Sequence, residues 1–141
     1  MTREPIYVAL FAKLDGCASF ATTSRRLKHW DDVPATSQPA LFQNQKRENV
    51  SGTPGLNQVK VFSVDIYLYA NTRGDKSISP GEILNPLIDA VETAMEPDKI
   101  SNKQTLGGLV QHAWIDGTIE TDEGVLGDQA VAIIPITIKV A

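Results

Sequence analysis

The stretch VKVFSVDIYLYA, residues 59–70, places the strongest constraint on the fold. As an extended strand it would span roughly 35 to 40 Å, because each residue adds about 3.3 Å. Its alternate side chains form one purely apolar face: Phe62, Val64, Ile66, Leu68 and Ala70. The opposite face mixes apolar, aromatic and charged groups. We therefore expect a central strand with helix over its apolar face, and a second face that is half exposed or covered by a partner subunit.

The length of 141 residues indicates one domain with a sizeable core. A composition of 42% hydrophobic and 21% charged residues is ordinary for globular proteins. No apolar run approaches the ~18 residues of a membrane span, and the start lacks a secretory layout, so we expect synthesis in a cytoplasm and no membrane partner. Cys17 has no possible internal disulfide partner and is interpreted as an inert small hydrophobe, with a nucleophile as the alternative.

Charge is distributed unevenly along the chain. Through Lys76 there are 10 Lys and Arg against 7 Asp and Glu, a balance of +3, and beyond it there are 3 against 10, a balance of −7. These two values sum to the net charge of −4. If the fold keeps the two halves on different surfaces, copies of the chain can attract each other head to tail.

The N-terminal region predicts a helix followed by a strand. Residues Thr2 to Asp15 form an amphipathic pattern that Gly16 ends, with Ile6, Leu10 and Leu14 on the apolar face. A strand is expected over Phe20 to Leu27. A basic segment overlaps its end and consists of Arg25, Arg26, Lys28 and His29. We interpret this segment as a solvated or subunit-facing patch, with contact to DNA phosphates as the alternative.

Two loops flank a second strand. Trp30 to Pro39 is predicted to be a loop held by Trp30 and Val33, and Ala40 to Lys46 is the strand. Glu48 to Asn57 contains Gly52, Pro54 and Gly55, which predicts a long hairpin connection that is not ordered by itself. Such connections often wait for a partner.

A second helix is predicted to begin after Ser79, where Ser79 and Glu82 match a capping box. Its apolar stripe contains Ile83, Leu84, Leu87, Ile88, Val91 and Met95. Pro86 interrupts this pattern, because an interior proline costs about 3 kcal/mol. We therefore expect a short turn before Pro86 or a helix that restarts with Asn85 as its cap.

Two strands are predicted in the last third of the chain. Leu109 to Glu120 alternates with Leu109, Ala113, Ile115 and Ile119 on one face, and Gln129 to Val140 is the last strand. Pro135 removes one backbone donor from it, so we expect this strand at an edge or with a bulge. The hairpin turn between the two is expected at Asp122, Glu123 and Gly124.

These elements predict an α+β fold in a single domain over residues 1–141. The expected architecture is a mainly antiparallel sheet of four to five strands with two helices packed on one face.

No catalytic signature is present among the motifs for phosphate loops, nucleophile elbows or zinc sites. His112 and Asp116 would lie some 13 Å apart along a strand and could not share a metal. His29 and His112 are interpreted as structural or interface residues. The acidic residues Asp116, Glu120, Asp122, Glu123 and Asp128 do not match a calcium loop. We expect no catalytic, cofactor-binding or metal-binding residues and no cofactor.

Two runs of residues resemble a known family. They are similar in residue pattern to the tail-terminator (tail completion) proteins of long-tailed bacteriophages. The runs are TLGGLVQHAWIDGTIETDEGVLGDQAVAIIPITIKV, residues 105–140, and SRRLKHWDDVPATSQPALF, residues 24–42. The order of the elements also agrees. The kink expected at Pro86 would be a departure from the family.

The resemblance implies a structural protein of the virion, made in the host cytoplasm and located at the head-proximal end of the tail. It implies a self-assembled ring, expected to hold six copies, that ends growth of the tail tube. The implied partners are the tail tube protein and the head-tail connector protein, with DNA only as cargo passing through the lumen. The alternatives are a head-completion, neck or tail tube protein of the same virion, and more remotely a small enzyme.

Overall fold

A computed structural model describes residues 2–123, 125 and 127–140. Within these residues the chain forms two α-helices and six strands. The helices are α1 (Glu4–Asp15) and α2 (Pro80–Ala94); the strands are β1 (Thr22–Ser24), β2 (Ala40–Thr53), β3 (Leu56–Asn71), β4 (His112–Ile115), β5 (Glu120–Glu123) and β6 (Gln129–Val140). Two short 3-10 turns lie at Trp30–Asp32 and Ala35–Ser37. The fold is therefore α+β.

All six strands belong to one mixed sheet. Its order is β1, β2, β3, β6, and both β4 and β5 pair with the remaining side of β6. The β1–β2 pair is parallel, whereas all other neighbours are antiparallel. The sequence predicted five strands at most; the sixth arises because the predicted strand over Leu109 to Glu120 is divided into β4 and β5.

The core confirms the central strand. Side chains from one face of β3, the inner face of β6 and both helices form one hydrophobic cluster. Phe62, Val64, Ile66 and Leu68 are fully buried there. Burial of such side chains contributes roughly 1.5–3 kcal/mol each, which makes this layer the main source of stability. The rings of Tyr7 and Phe62 stack at 5.5 Å and join α1 to β3.

Helix α2 corrects the expectation for Pro86, since the helix runs unbroken from Pro80 to Ala94 with Pro86 inside it. Its start is a capping box, in which Glu82 accepts a hydrogen bond of 2.8 Å from the Ser79 backbone N–H. Leu84, Leu87 and Val91 are buried against the sheet. This burial and the cap offset the hydrogen bond that Pro86 cannot make.

The position of Pro135 is a second correction, because β6 is neither an edge strand nor bulged. It pairs with β3 in one register from Lys60↔Val140 to Asn71↔Gln129. The effect of Pro135 falls on its other neighbour: Asp116 N–H donates to Pro135 O at 3.0 Å, and the chain then leaves the sheet until Glu120. Residues after Asp116 would face Pro135, which has no N–H to donate to them. The pairing of β4 with β6 therefore ends at Ile115↔Ile136.

Other strand boundaries also differ from the sequence prediction. Strand β1 is limited to Thr22–Ser24, since the chain turns at the basic segment instead of continuing to Leu27. The predicted alternation does not extend back to Leu109, which is 46% exposed, while Val110 is buried, because β4 begins only at His112. The expected turn at Asp122 and Glu123 is part of β5, and Gly124 lies outside the described residues.

Candidate assembly surfaces

A two-stranded arm extends beyond the rest of the sheet. We define the arm as residues 51–59, because β6 ends opposite Lys60 and the β2–β3 hairpin continues past it. Leu56 at the tip is 68% exposed, and Val50 at the base is 45% exposed. The prediction of a hairpin over Glu48 to Asn57 is confirmed, but the prediction that it is not ordered by itself was wrong: these residues are paired strands that present apolar side chains to solvent.

The residues that suggested disorder are those that shape the arm. Pro54 and Gly55 form its two-residue turn, and Gly55 has φ +83°, as the third position of a type II turn requires. Gly52 has φ +99° and lies at a register shift between Ser51 and Thr53. A Cβ at Gly52 would lie 3.0 Å from the Asn57 carbonyl oxygen, so glycine permits close approach of the two strands.

A groove of about 640 Å³ crosses the second face, the sheet face opposite the helices. Its floor comes from Tyr67, Val131 and Ile133, which lie on neighbouring strands of that face. One rim contains Lys28 and His29, and the other rim is strand β5 with Glu120 and Asp122. The groove therefore combines an apolar floor with one basic and one acidic rim.

The loop that builds the basic rim is held by buried polar groups. Gln38 and Gln129, 2% and 5% exposed, exchange amide hydrogen bonds of 2.8 and 2.9 Å. Arg73 donates to the carbonyl oxygens of Ala35 and Gln38 at 3.2 and 2.9 Å. Sequence reasoning missed these anchors, because isolated glutamines give no pattern. The predicted role of the apolar residues was confirmed, since Val33 is buried and Trp30 packs beside it.

Tyr69 attaches the same loop to the sheet. Its hydroxyl donates a hydrogen bond of 2.6 Å to the Lys28 carbonyl oxygen. Burial raises the pKa of Tyr69 to about 12, so the phenol stays protonated and keeps this bond over the whole neutral range.

The basic segment divides between internal and exposed groups. Arg25 forms a bidentate ion pair with Glu4 at 2.6 and 3.0 Å, and its guanidinium lies 5.9 Å from the centre of the Tyr7 ring. That contact lowers the pKa of Glu4. Arg26, Lys28 and His29 are exposed. This second group is more accessible to a partner than Arg25, whose side chain is 31% exposed.

The fold separates the two unlike halves of the sequence. The basic half supplies α1, β1, β2 and β3, while the acidic half supplies α2, β4, β5 and β6. Because the sheet order is β1, β2, β3, β6 and then β4 with β5, the halves lie side by side across the sheet. One lateral edge therefore ends at β1, which Arg25 and Arg26 follow, and the other ends at β4 and at β5 with Glu120 and Asp122, whereas Lys28 and His29 lie over the second face.

Both histidines make local structural contacts. His112 Nδ1 accepts a hydrogen bond of 3.0 Å from the Gln104 N–H, and its ring stacks on Trp114 at 4.8 Å. His29 Nδ1 accepts from the Asp31 N–H at 3.1 Å and caps a 3-10 turn. Among the described residues, no group of three or more His, Cys, Asp or Glu is arranged to hold a metal ion.

Cys17 is half buried beside the core. Burial raises the pKa of its thiol, which keeps the sulfur protonated and a poor nucleophile at neutral pH. None of the helices in the described part of the chain is long and apolar enough to cross a membrane.

Comparison with known proteins gave no family model that matches the sequence and no curated protein with significant similarity.

Proposed function

We propose that this protein is a tail terminator of a long-tailed bacteriophage. In this role, copies of the chain form a ring, expected to hold six, on the head-proximal end of the tail tube. The ring ends tube polymerisation and provides the surface that joins the head connector. The observation that carries the proposal is that the strands of the basic half and those of the acidic half lie on opposite sides of one sheet.

A ring of identical contacts needs two different, complementary surfaces on every copy. The chain offers such a pair, with exposed Arg26 beside β1 and exposed Glu120 in β5. Attraction between opposite charges steers copies together and disfavours the like-to-like pairing of a closed dimer. This arrangement supports head-to-tail assembly over a two-fold contact.

The arm supplies a further surface for assembly. It carries exposed Leu56 at its tip and Val50 at its base. Burial of these side chains against another protein removes apolar surface from water, which favours association. In the proposed role, the arm reaches a neighbouring copy or the last ring of tail tube protein.

Acidic groups suit the lumen through which DNA passes. Glu120 and Asp122 point to the second face, as their pairing with Ile133 and Val131 requires. Like charge lowers the affinity for phosphates, and strong phosphate contacts would hinder passage of DNA. We propose that these groups line the channel.

The nearest alternative roles are a head-completion, neck or tail tube protein of the same virion. Electron microscopy of particles assembled without this protein separates them. Loss of a terminator gives overlong tails without heads, whereas loss of the tube protein gives no tails. Tails of normal length in the absence of the protein would refute the terminator role.

A further inference from the structure

Among the residues that the structure describes, strand β5 leaves part of its backbone open to a partner. The carbonyls of Pro135 and Lys139 accept hydrogen bonds from the side of β4 and β5. Since backbone groups alternate along a strand, Val131 and Ile133 face that side as well, and their partners Asp122 and Glu120 bond inward. Thr121 lies between those two residues, so its N–H and C=O point outward from the sheet.

Strand β1 has the same property at the opposite edge. The Thr22 N–H donates towards the Pro39 carbonyl at the start of β2, so Thr22 faces inward. By the same alternation, the N–H and C=O of Thr23 point outward. One row of the register crosses the whole sheet: Thr23, Leu41, Leu68, Ala132 and Thr121. The two open backbone sites therefore lie at the same height on opposite edges.

Strand direction also fits a continuous sheet. β1 and β2 run together, β3 runs opposite to them, β6 returns, and β5 runs opposite to β6. Rotation about an axis parallel to the strands does not reverse them. A copy placed beside the first by such a rotation therefore sets its β5 antiparallel to β1 of the first.

We propose that β1 of one copy pairs with β5 of the next, so that the sheet continues around the ring. Thr23 and Thr121 form a hydrogen-bonded pair that exchanges both backbone bonds, and Ser24 lies directly opposite Glu120. Arg26, which is exposed just after β1, meets the acidic β5 edge. This inference rests on the ring proposed above and adds the contact that closes it.

A proline substitution tests the backbone bond. Thr121→Pro removes the outward N–H and leaves the β5–β6 bonds intact, because the N–H of residue 121 does not face β6. Association is expected to weaken about tenfold, as the loss of one such hydrogen bond predicts. The matched control Thr121→Ala keeps the N–H and should associate like the wild type. Circular dichroism checks that all three proteins are folded alike.

A disulfide tests the register. In a Cys17→Ser background, Ser24→Cys and Glu120→Cys are combined in one chain and treated with oxidised glutathione. Residues 24 and 120 of the same chain are separated by four strand spacings, about 19 Å, so they cannot bridge within it. In the proposed pairing they face each other at about 4.5 Å between Cα atoms, and a ladder of covalent oligomers should form.

The results separate the contact from the function. Two results together would overturn the edge pairing and leave the terminator role intact. They are association of Thr121→Pro like that of the wild type, and no covalent ladder from the double-cysteine chain although that chain associates. If protein without these substitutions neither associates nor caps tails, the proposed function fails and the edge pairing fails with it. Weak association of Thr121→Pro and a ladder from the double-cysteine chain support the edge pairing and, with it, the ring of the proposed function.

Discussion

At the scale of single residues, Tyr69 connects the loop over the second face to the centre of the sheet. Its hydroxyl bonds to the Lys28 carbonyl, and its ring packs against Phe42 at 5.4 Å. The sequence placed Tyr69 on the mixed face of the central strand. It could not show that a carbonyl group some 40 residues earlier accepts a hydrogen bond from its hydroxyl, because that contact depends on tertiary folding.

Tyr69 also predicts a change of stability with pH. The pKa of Tyr69 rises from its ordinary value of 10.0 to about 12 in the fold, so folding favours the protonated phenol. Its contribution is fully present below pH 10 and is lost as the pH rises through 12. Tyr69→Phe should lower the free energy of unfolding by about 1 kcal/mol at neutral pH and reduce the alkaline loss.

Urea unfolding of both proteins between pH 7 and pH 12 measures this effect. Burial also raises the pKa of Tyr7, so a smaller alkaline loss should remain in the variant. An identical alkaline loss in Tyr69→Phe and the wild type would contradict the role assigned to this hydroxyl.

At the scale of elements, the sequence pattern of the arm predicted the hairpin but not that it is ordered. Glycine and proline are common both in disordered connections and in tight turns. Composition alone does not distinguish the two, since the difference depends on whether the flanking residues find strand partners. Here β2 and β3 stay paired up to Thr53↔Leu56, so the breakers occupy the turn and the bulge.

Two glycines of the arm make a matched pair for a test. Gly52→Ala and Gly55→Ala both place a side chain at positive φ, which costs roughly 1–2 kcal/mol locally. Only Gly52→Ala adds a clash with the facing strand, because a Cβ at Gly55 meets no atom within 4 Å. Hydrogen exchange of the arm amides should therefore increase more in Gly52→Ala. Equal exchange in the two variants would contradict the close approach at Gly52.

Helix α2 gives a second prediction at this scale. Pro86→Ala restores the backbone donor to the Glu82 carbonyl and should raise the free energy of unfolding by about 1–3 kcal/mol. Asn85→Ala, the exposed neighbour in the same turn, is the control and should change it by less than about 0.5 kcal/mol. Chemical denaturation measures both, and a loss of stability in Pro86→Ala would show that the proline is required by its surroundings.

At the scale of the whole molecule, the sequence predicted much of the fold and less of the surface. Both helices and the faces of β3 and β6 followed from hydrophobic periodicity, because that pattern records which side is buried. The division into β4 and β5 did not, since it depends on the position of Pro135 in a neighbouring strand. The loop that forms the basic rim of the groove is held by the contact between Gln38 and Gln129, which are 91 residues apart in the chain. Hydrophobic periodicity does not reveal such a contact.

Association through unlike edges predicts a dependence on salt. The screening length falls from about 10 Å at 0.1 M to about 3 Å at 1 M ionic strength, so contacts between charged edges should weaken. Light scattering should give a lower average mass at high salt and for Arg26→Glu at low salt. Lys13→Glu, an exposed change of equal charge on α1, is the control. A mass that is independent of salt and of Arg26 would argue against charge-directed assembly.

The position of the protein on phage tails tests the terminator role most directly. Purified tails labelled with antibody against this chain, and imaged by electron microscopy, should carry label at one end only, the end that joins the head. Label along the tube, at the distal tip, or nowhere on the tail would contradict that role.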